Sequence, residues 1–106
     1  MTIKDFLADE SNIVQKNECF VLRKGIELNN GVKLSVHAST LHMCFPRDVI
    51  FDGSYDAVEI CSSKDIDAFS DYKDQNTEFN LYTYVPVCFV DEYIKTAGGV
   101  KCLYEK

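Results

Sequence analysis

The chain has 106 residues and a formal net charge of −6; it is 46% hydrophobic and 26% charged. That length fits one domain, and that apolar content excludes wholesale disorder. No apolar run approaches the roughly 18–20 residues that span a bilayer, and residues 1–10 hold three acids and no apolar secretory core, so a cytoplasmic protein with no membrane association is expected.

A short helix is expected at the start, through Ile3, Phe6 and Leu7, with Thr2 and Asp5 as its capping pair. Polar residues around Ser11, Asn12 and Asn17 leave it short or loosely attached. Cys19-Phe20-Val21-Leu22 reads as a strand, and Ile26 to Leu28 as a possible second. Asn29-Asn30-Gly31 is a hairpin signal, because these residues tolerate the positive φ of tight primed turns. After it, Val32, Leu34, Val36 and Ala38 alternate with Lys33, Ser35, His37 and Ser39, the clearest period-two strand in the chain. Leu41 to Arg47 is a short apolar connection, and Pro46 blocks a regular central strand there.

Asp52-Gly53-Ser54 reads as a turn and Tyr55 to Cys61 as a strand. Ser62 or Ser63 is placed to cap a helical turn containing Ile66 and Phe69. After a polar loop over residues 70–78, Glu78 to Val85 reads as a strand, with Tyr82 and Tyr84 on one face and Phe79, Leu81, Thr83 and Val85 on the other. Pro86 suits the first position of a helix carrying Val87, Val90, Ile94 and Ala97, with Phe89 and Tyr93 as a second stripe. Gly98-Gly99 ends that helix, and Val100 to Tyr104 returns as a strand. The expected fold is α+β, a small and mainly antiparallel sheet with an N-terminal and a C-terminal helix packed on it. It forms a single domain over residues 1–106, in which 1–24 make an N-terminal helix and extension and 25–104 the core.

The charge is concentrated. Residues 52–78 hold eight acids against Lys64 and Lys73, whereas acids and bases balance on either side. Such a field repels nucleic-acid backbones and can attract a basic partner, although a solvated, solubilising face is the commoner explanation. Direct nucleic-acid binding is not expected, since no Lys/Arg cluster exists to neutralise phosphates. Five dispersed cysteines without a Cys-x-x-Cys pair indicate a reducing compartment. His37 and His42 share no ligand spacing with them, so neither a metal nor another cofactor is expected.

His42 and Cys44 are the one local Cys/His pair, but no hydrolase signature surrounds them, and the chain is not expected to be an enzyme. The connection Phe45-Pro46-Arg47 is a better candidate, because an arginine on a rigid support forks onto phosphate or stacks on a base. A surface ion pair is the alternative use of Arg47. Tyr82 and Tyr84 offer a stacking wall if their face is open, and ordinary packing if it is not.

Two segments carry a family resemblance: Leu28-Asn-Asn-Gly-Val-Lys-Leu-Ser-Val-His-Ala-Ser39 with His42-Met-Cys-Phe-Pro-Arg47, and Tyr82-Thr-Tyr-Val-Pro-Val87 with Tyr93-Ile94 and Gly98-Gly99-Val100. Over residues 25–100 this pattern resembles small proteins encoded by phages and prophages of Gram-positive bacteria, and is similar to the type-one Thoeris anti-defence proteins. The resemblance implies a homo-oligomeric sponge in the host cytoplasm that holds a cyclic ADP-ribose isomer, or a cyclic oligonucleotide, without cleaving it. It implies ligand contacts from Arg47 to phosphate, from Phe45 or Tyr84 to a base, and from His42 in support, with Tyr82 beside Tyr84. Ile60-Cys61-Ser62-Ser63 departs from the Gly-Phe-Pro-Ser-like segment associated with that group, so a stacking aromatic is either missing or supplied from elsewhere. The competing expectation is an acidic protein-binding inhibitor of a host nuclease or defence complex, working like a DNA-mimicking anti-CRISPR through residues 52–78.

Overall fold

The computed structural model describes residues 1–105. Helix α1 (Ile3–Ala8) starts as its residues dictate: the Thr2 hydroxyl accepts from the Asp5 N–H at 3.1 Å, and the Asp5 carboxylate accepts from the Thr2 N–H at 3.4 Å. These contacts satisfy two amide donors that a helix start leaves open. Ile3, Phe6 and Leu7 are buried.

Strands β1 (Ile13–Lys16) and β2 (Val21–Arg23) form a separate antiparallel ribbon whose register slips between Ile13 and Gln15. Strand β1 was not expected. Val14, Gln15 and Lys16 are all exposed, so it buries no alternating face for periodicity to reveal.

The main sheet is antiparallel throughout. It contains β3 (Gly25–Leu28), β4 (Lys33–His37), β5 (Ala57–Ser62), β6 (Leu81–Pro86) and β7 (Val100–Tyr104), in the order β6-β5-β4-β3-β7. Between β3 and β4 the chain turns at Asn29–Gly31, where Gly31 takes φ 88° and donates to the Leu28 carbonyl at 3.0 Å. Val32, Leu34, Val36 and Ala38 are all buried, as their alternation requires.

Helix α2 (Val87–Thr96) begins one residue later than expected. Pro86 occupies the N-cap position because it still pairs with Ala57 across the sheet. Gly98 and Gly99 close the helix at φ 89° and 90°, with the Gly99 N–H reaching back to the Ile94 carbonyl at 2.9 Å.

The middle helical turn is a 3-10 helix over Asp67–Tyr72, and neither Ser62 nor Ser63 caps it. The Ser63 hydroxyl accepts from the Lys33 N–H at 2.9 Å and Ser62 from the Lys64 N–H at 3.3 Å, so both serve the end of β5. Strand β6 starts at Leu81, three residues after the expected Glu78.

One core joins these parts. Ile26, Leu28, Leu34, Val36, Val58 and Ile60 of the sheet meet Phe6 and Leu7 of α1, Phe69 of the 3-10 helix, and Val90 and Ile94 of α2. The start of α1 is tied to the middle of α2, where the Ile3 N–H donates to the Asp91 carboxylate at 2.8 Å.

Candidate functional site

The site is made by an irregularity in the β5–β6 ladder. Val58 pairs with Val85 and Ile60 with Tyr82, so three steps along β6 match two along β5. The extra residue is a β-bulge, which bends a strand and re-aims the side chain beside it. Tyr84 sits there at φ 55°, the one non-glycine residue with positive φ among those described.

The bulge separates the two tyrosines that simple alternation places on one face. Tyr82 points inward with Val85 and is fully buried, its ring edge-on to Phe69 at 5.7 Å between centroids. Its hydroxyl donates to the Asp65 carboxylate at 2.7 Å and accepts from the Ile66 N–H at 2.8 Å. Burial, reinforced by the nearby carboxylates, pushes the phenol up to about 12. Tyr82 is therefore a core residue, and its expected role in a stacking wall is withdrawn. Tyr84 turns outward and is 42% exposed.

A strap formed by residues 41–45 runs past Tyr84. The Tyr84 N–H donates to the Met43 carbonyl at 3.0 Å, and its hydroxyl lies 3.6 Å from the Met43 sulfur. Phe45 pairs with Ala57, each donating an amide to the other's carbonyl, and its peptide bond to Pro46 is cis. The strap passes through a turn at Leu41 and bends at His42 and Met43 before its bridge at Phe45, and along it Leu41, Met43 and Phe45 are exposed while His42 and Cys44 are buried. Phe45, at 59% exposure, is one of the most open aromatic rings of the protein.

Glu59 anchors the strap from below, accepting from the Met43 N–H at 3.3 Å. Its partial burial raises the carboxyl above the usual range, against the opposing effects of that hydrogen bond and of the Arg47 charge. Arg47 itself is exposed. Met43 thus joins Tyr84 to the strap that continues into Phe45, and the charge of Arg47 reaches Glu59 beneath it.

His42 lies outside that surface group. Its Nδ1 is 2.6 Å from the Ser39 hydroxyl, and its ring stacks on His37 at 4.8 Å and tilts against Phe20 at 5.3 Å. At 8% exposure it supports the strap from inside, so the expected ligand contact is corrected to a packing role. Cys44 is also enclosed, its Sγ donating to the Ser39 carbonyl at 3.2 Å. Burial raises its thiol, the opposite of the shift that activates a nucleophile.

The burial of one charged group, Arg23, was not expected from the sequence. Arg23 has no exposed surface; its Nη1 donates to the Ala38 carbonyl at 2.9 Å, while Nε and Nη2 have no hydrogen-bond partner among the described residues. Burial lowers its pKa, and the neighbours that oppose this are Tyr55 and Cys44, not a carboxylate. The available signal was its spacing, two residues after the buried Val21 on a short strand.

Among the described residues no group of three or more His, Cys, Asp or Glu is placed to hold a metal ion, and no helix is long and apolar enough to cross a membrane. No protein-family model, no curated protein and no solved structure matches the chain.

Proposed function

We propose that this is a phage-encoded anti-defence protein that sequesters a cyclic nucleotide immune signal, a cyclic ADP-ribose isomer or a cyclic oligonucleotide, without cleaving it. The observation that carries this reading is Tyr84. A bulky residue in the left-handed region costs about 1–2 kcal/mol, and such strain clusters at ligand clamps. Here it turns an aromatic ring to solvent against Met43, on the strap from which the exposed Phe45 and Arg47 follow in the chain. Two open aromatic rings suit base stacking, and a guanidinium suits a phosphate through paired hydrogen bonds. Cys44, the nucleophile of the strap, is buried with its thiol raised, which favours holding a ligand over cleaving it. The same reading takes the protein as a homo-oligomer in the cytoplasm of the infected cell, where neighbouring copies enclose an otherwise open patch.

The test is to incubate the protein with cyclic ADP-ribose isomers and cyclic di- and trinucleotides, remove free ligand, denature by heat and identify what is released. Intact signal is expected. Arg47→Ala should weaken binding by at least about tenfold, the size of one lost charged hydrogen bond, while Asp67→Lys/Asp71→Lys should not weaken it. Release of a converted product would make the protein an enzyme, and no binding across the panel would sink the proposal.

A further inference from the structure

A second feature lies away from the strap, between the 3-10 helix Asp67–Tyr72 and α2. There the second stripe of α2, Phe89 and Tyr93, lines an open cavity of about 250 Å³ with Ala68, Phe69, Glu92 and Thr96. The aromatic walls hold one another in place: Tyr93 packs on Phe69 at 5.3 Å, and Phe89 meets Tyr72 edge-on at 5.9 Å. Phe89 nevertheless leaves 47% of its surface in water. The cavity is smaller than the roughly 300–1,000 Å³ typical of small-molecule sites. It matches one large apolar side chain of a partner.

The charge around it selects that partner. The two walls carry Asp67, Asp71, Asp91 and Glu92 against Lys95 alone. Asp91 is engaged by the Ile3 N–H, but Asp67, Asp71 and Glu92 are exposed and make no ion pair among the described residues. Nearby Lys73 is already taken by Asp65 at 2.9 Å. An apolar slot between acidic rims repels anionic ligands, the nucleotide signal included. It complements an amphipathic segment with Lys or Arg on either side of its apolar anchor.

We infer that this cleft docks a cationic amphipathic segment of a partner protein, with one aromatic or leucine side chain seated between Ala68 and Phe89. The inference stands apart from nucleotide binding, since it shares no residue with the Phe45, Arg47 and Tyr84 group. It gives the acidic stretch a working surface on the 3-10 helix and α2 instead of across all of residues 52–78.

The experiment uses a fluorescein-labelled helical peptide of Lys and Leu, its counterpart with Glu for Lys, and a third with Ser for the central Leu, read by fluorescence anisotropy. The Lys–Leu peptide should bind and the Glu peptide should not, while the Ser peptide and added salt should each weaken binding. Phe89→Ser and the cleft-filling Ala68→Trp should each weaken it at least tenfold, and Asp67→Lys/Asp71→Lys by a similar factor. Glu10→Lys/Glu18→Lys, an equal charge change elsewhere on the surface, should cost less than threefold. An equal loss in that control, or unaltered binding by both Phe89→Ser and Ala68→Trp, would reduce the effect to non-specific charge and overturn the inference. So would sedimentation showing that the protein self-associates until Phe89→Ser separates it, because the occupant would then be a second copy.

Discussion

Across the β3–β4 ladder, Ile26 faces Leu34 and Glu27 faces Lys33, and side chains alternate between core and solvent without interruption. Across the β5–β6 ladder one residue too many has been fitted, and the alternation breaks at Tyr84. The first ladder belongs wholly to the core and its turn. The second borders the strap of residues 41–45 and carries the candidate site. The contrast shows how little it takes to convert a strand into a site: because the side-chain period is two, a single inserted residue inverts every assignment beyond it. Tyr82 and Tyr84, two apart and alike in the sequence, become a core anchor and a solvent-facing ring.

The largest effect should separate those two tyrosines. Tyr82→Ala removes a fully buried ring and two hydrogen bonds, and should cost about 3–5 kcal/mol by urea denaturation. Tyr84→Ala, at an exposed position, should change stability by less than about 1 kcal/mol. Equal losses would show that the bulge packs Tyr84 structurally, and the contrast between the ladders would fail.

The same contrast explains what could be read in advance. The α1 cap, the Asn29–Gly31 turn, the β4 alternation and the Gly98-Gly99 stop were legible because each is set by neighbouring residues. The inversion of Tyr82 and Tyr84 was not, since the bulge sits where the Met43 carbonyl of the strap accepts from the Tyr84 N–H. That contact joins residues 41 positions apart. Of the candidate site, the exposure of Phe45 and Arg47 followed from their place on a connection, whereas the burial of His42 depends on packing against His37 and Phe20. Strand β1 and the buried Arg23 left no local signal strong enough to declare them.

Arg23 bears on where the regular ladder ends, for its guanidinium bonds to Ala38 just beyond β4. A buried charge facing no carboxylate is costly, and replacement of buried ionic groups by well-packed apolar ones is commonly neutral or stabilising by about 1–4 kcal/mol. Arg23→Met should therefore raise the urea midpoint. A lowered midpoint would mean that the arginine holds the end of β4 in place.

At the bulge itself, glycine should fit the backbone better than tyrosine. Relief of about 1–2 kcal/mol from the left-handed region is offset by about 0.5–1 kcal/mol for the extra freedom of glycine in the unfolded chain. Tyr84→Gly should thus gain roughly 0.5–1 kcal/mol while weakening nucleotide binding, measured by urea denaturation and calorimetry on the same variant. A gain in stability without a loss of binding would leave the strained tyrosine unexplained by the site.

The smallest effect concerns Glu59, which lies between the two ladders opposite His37 and beneath Met43. Its carboxyl is raised chiefly by burial, so the folded state takes up this proton more readily than the unfolded chain does. The contribution to stability is fully present below the ordinary glutamate range and is lost as pH rises through the raised folded value. The stability of the wild type relative to Glu59→Gln should therefore fall over that window. Arg47 lowers the same carboxyl, so Arg47→Ala should move the window to higher pH. A window that stays in place when Arg47 is removed would show that the guanidinium points away from the strap, and would take away its claim on a ligand held against Tyr84.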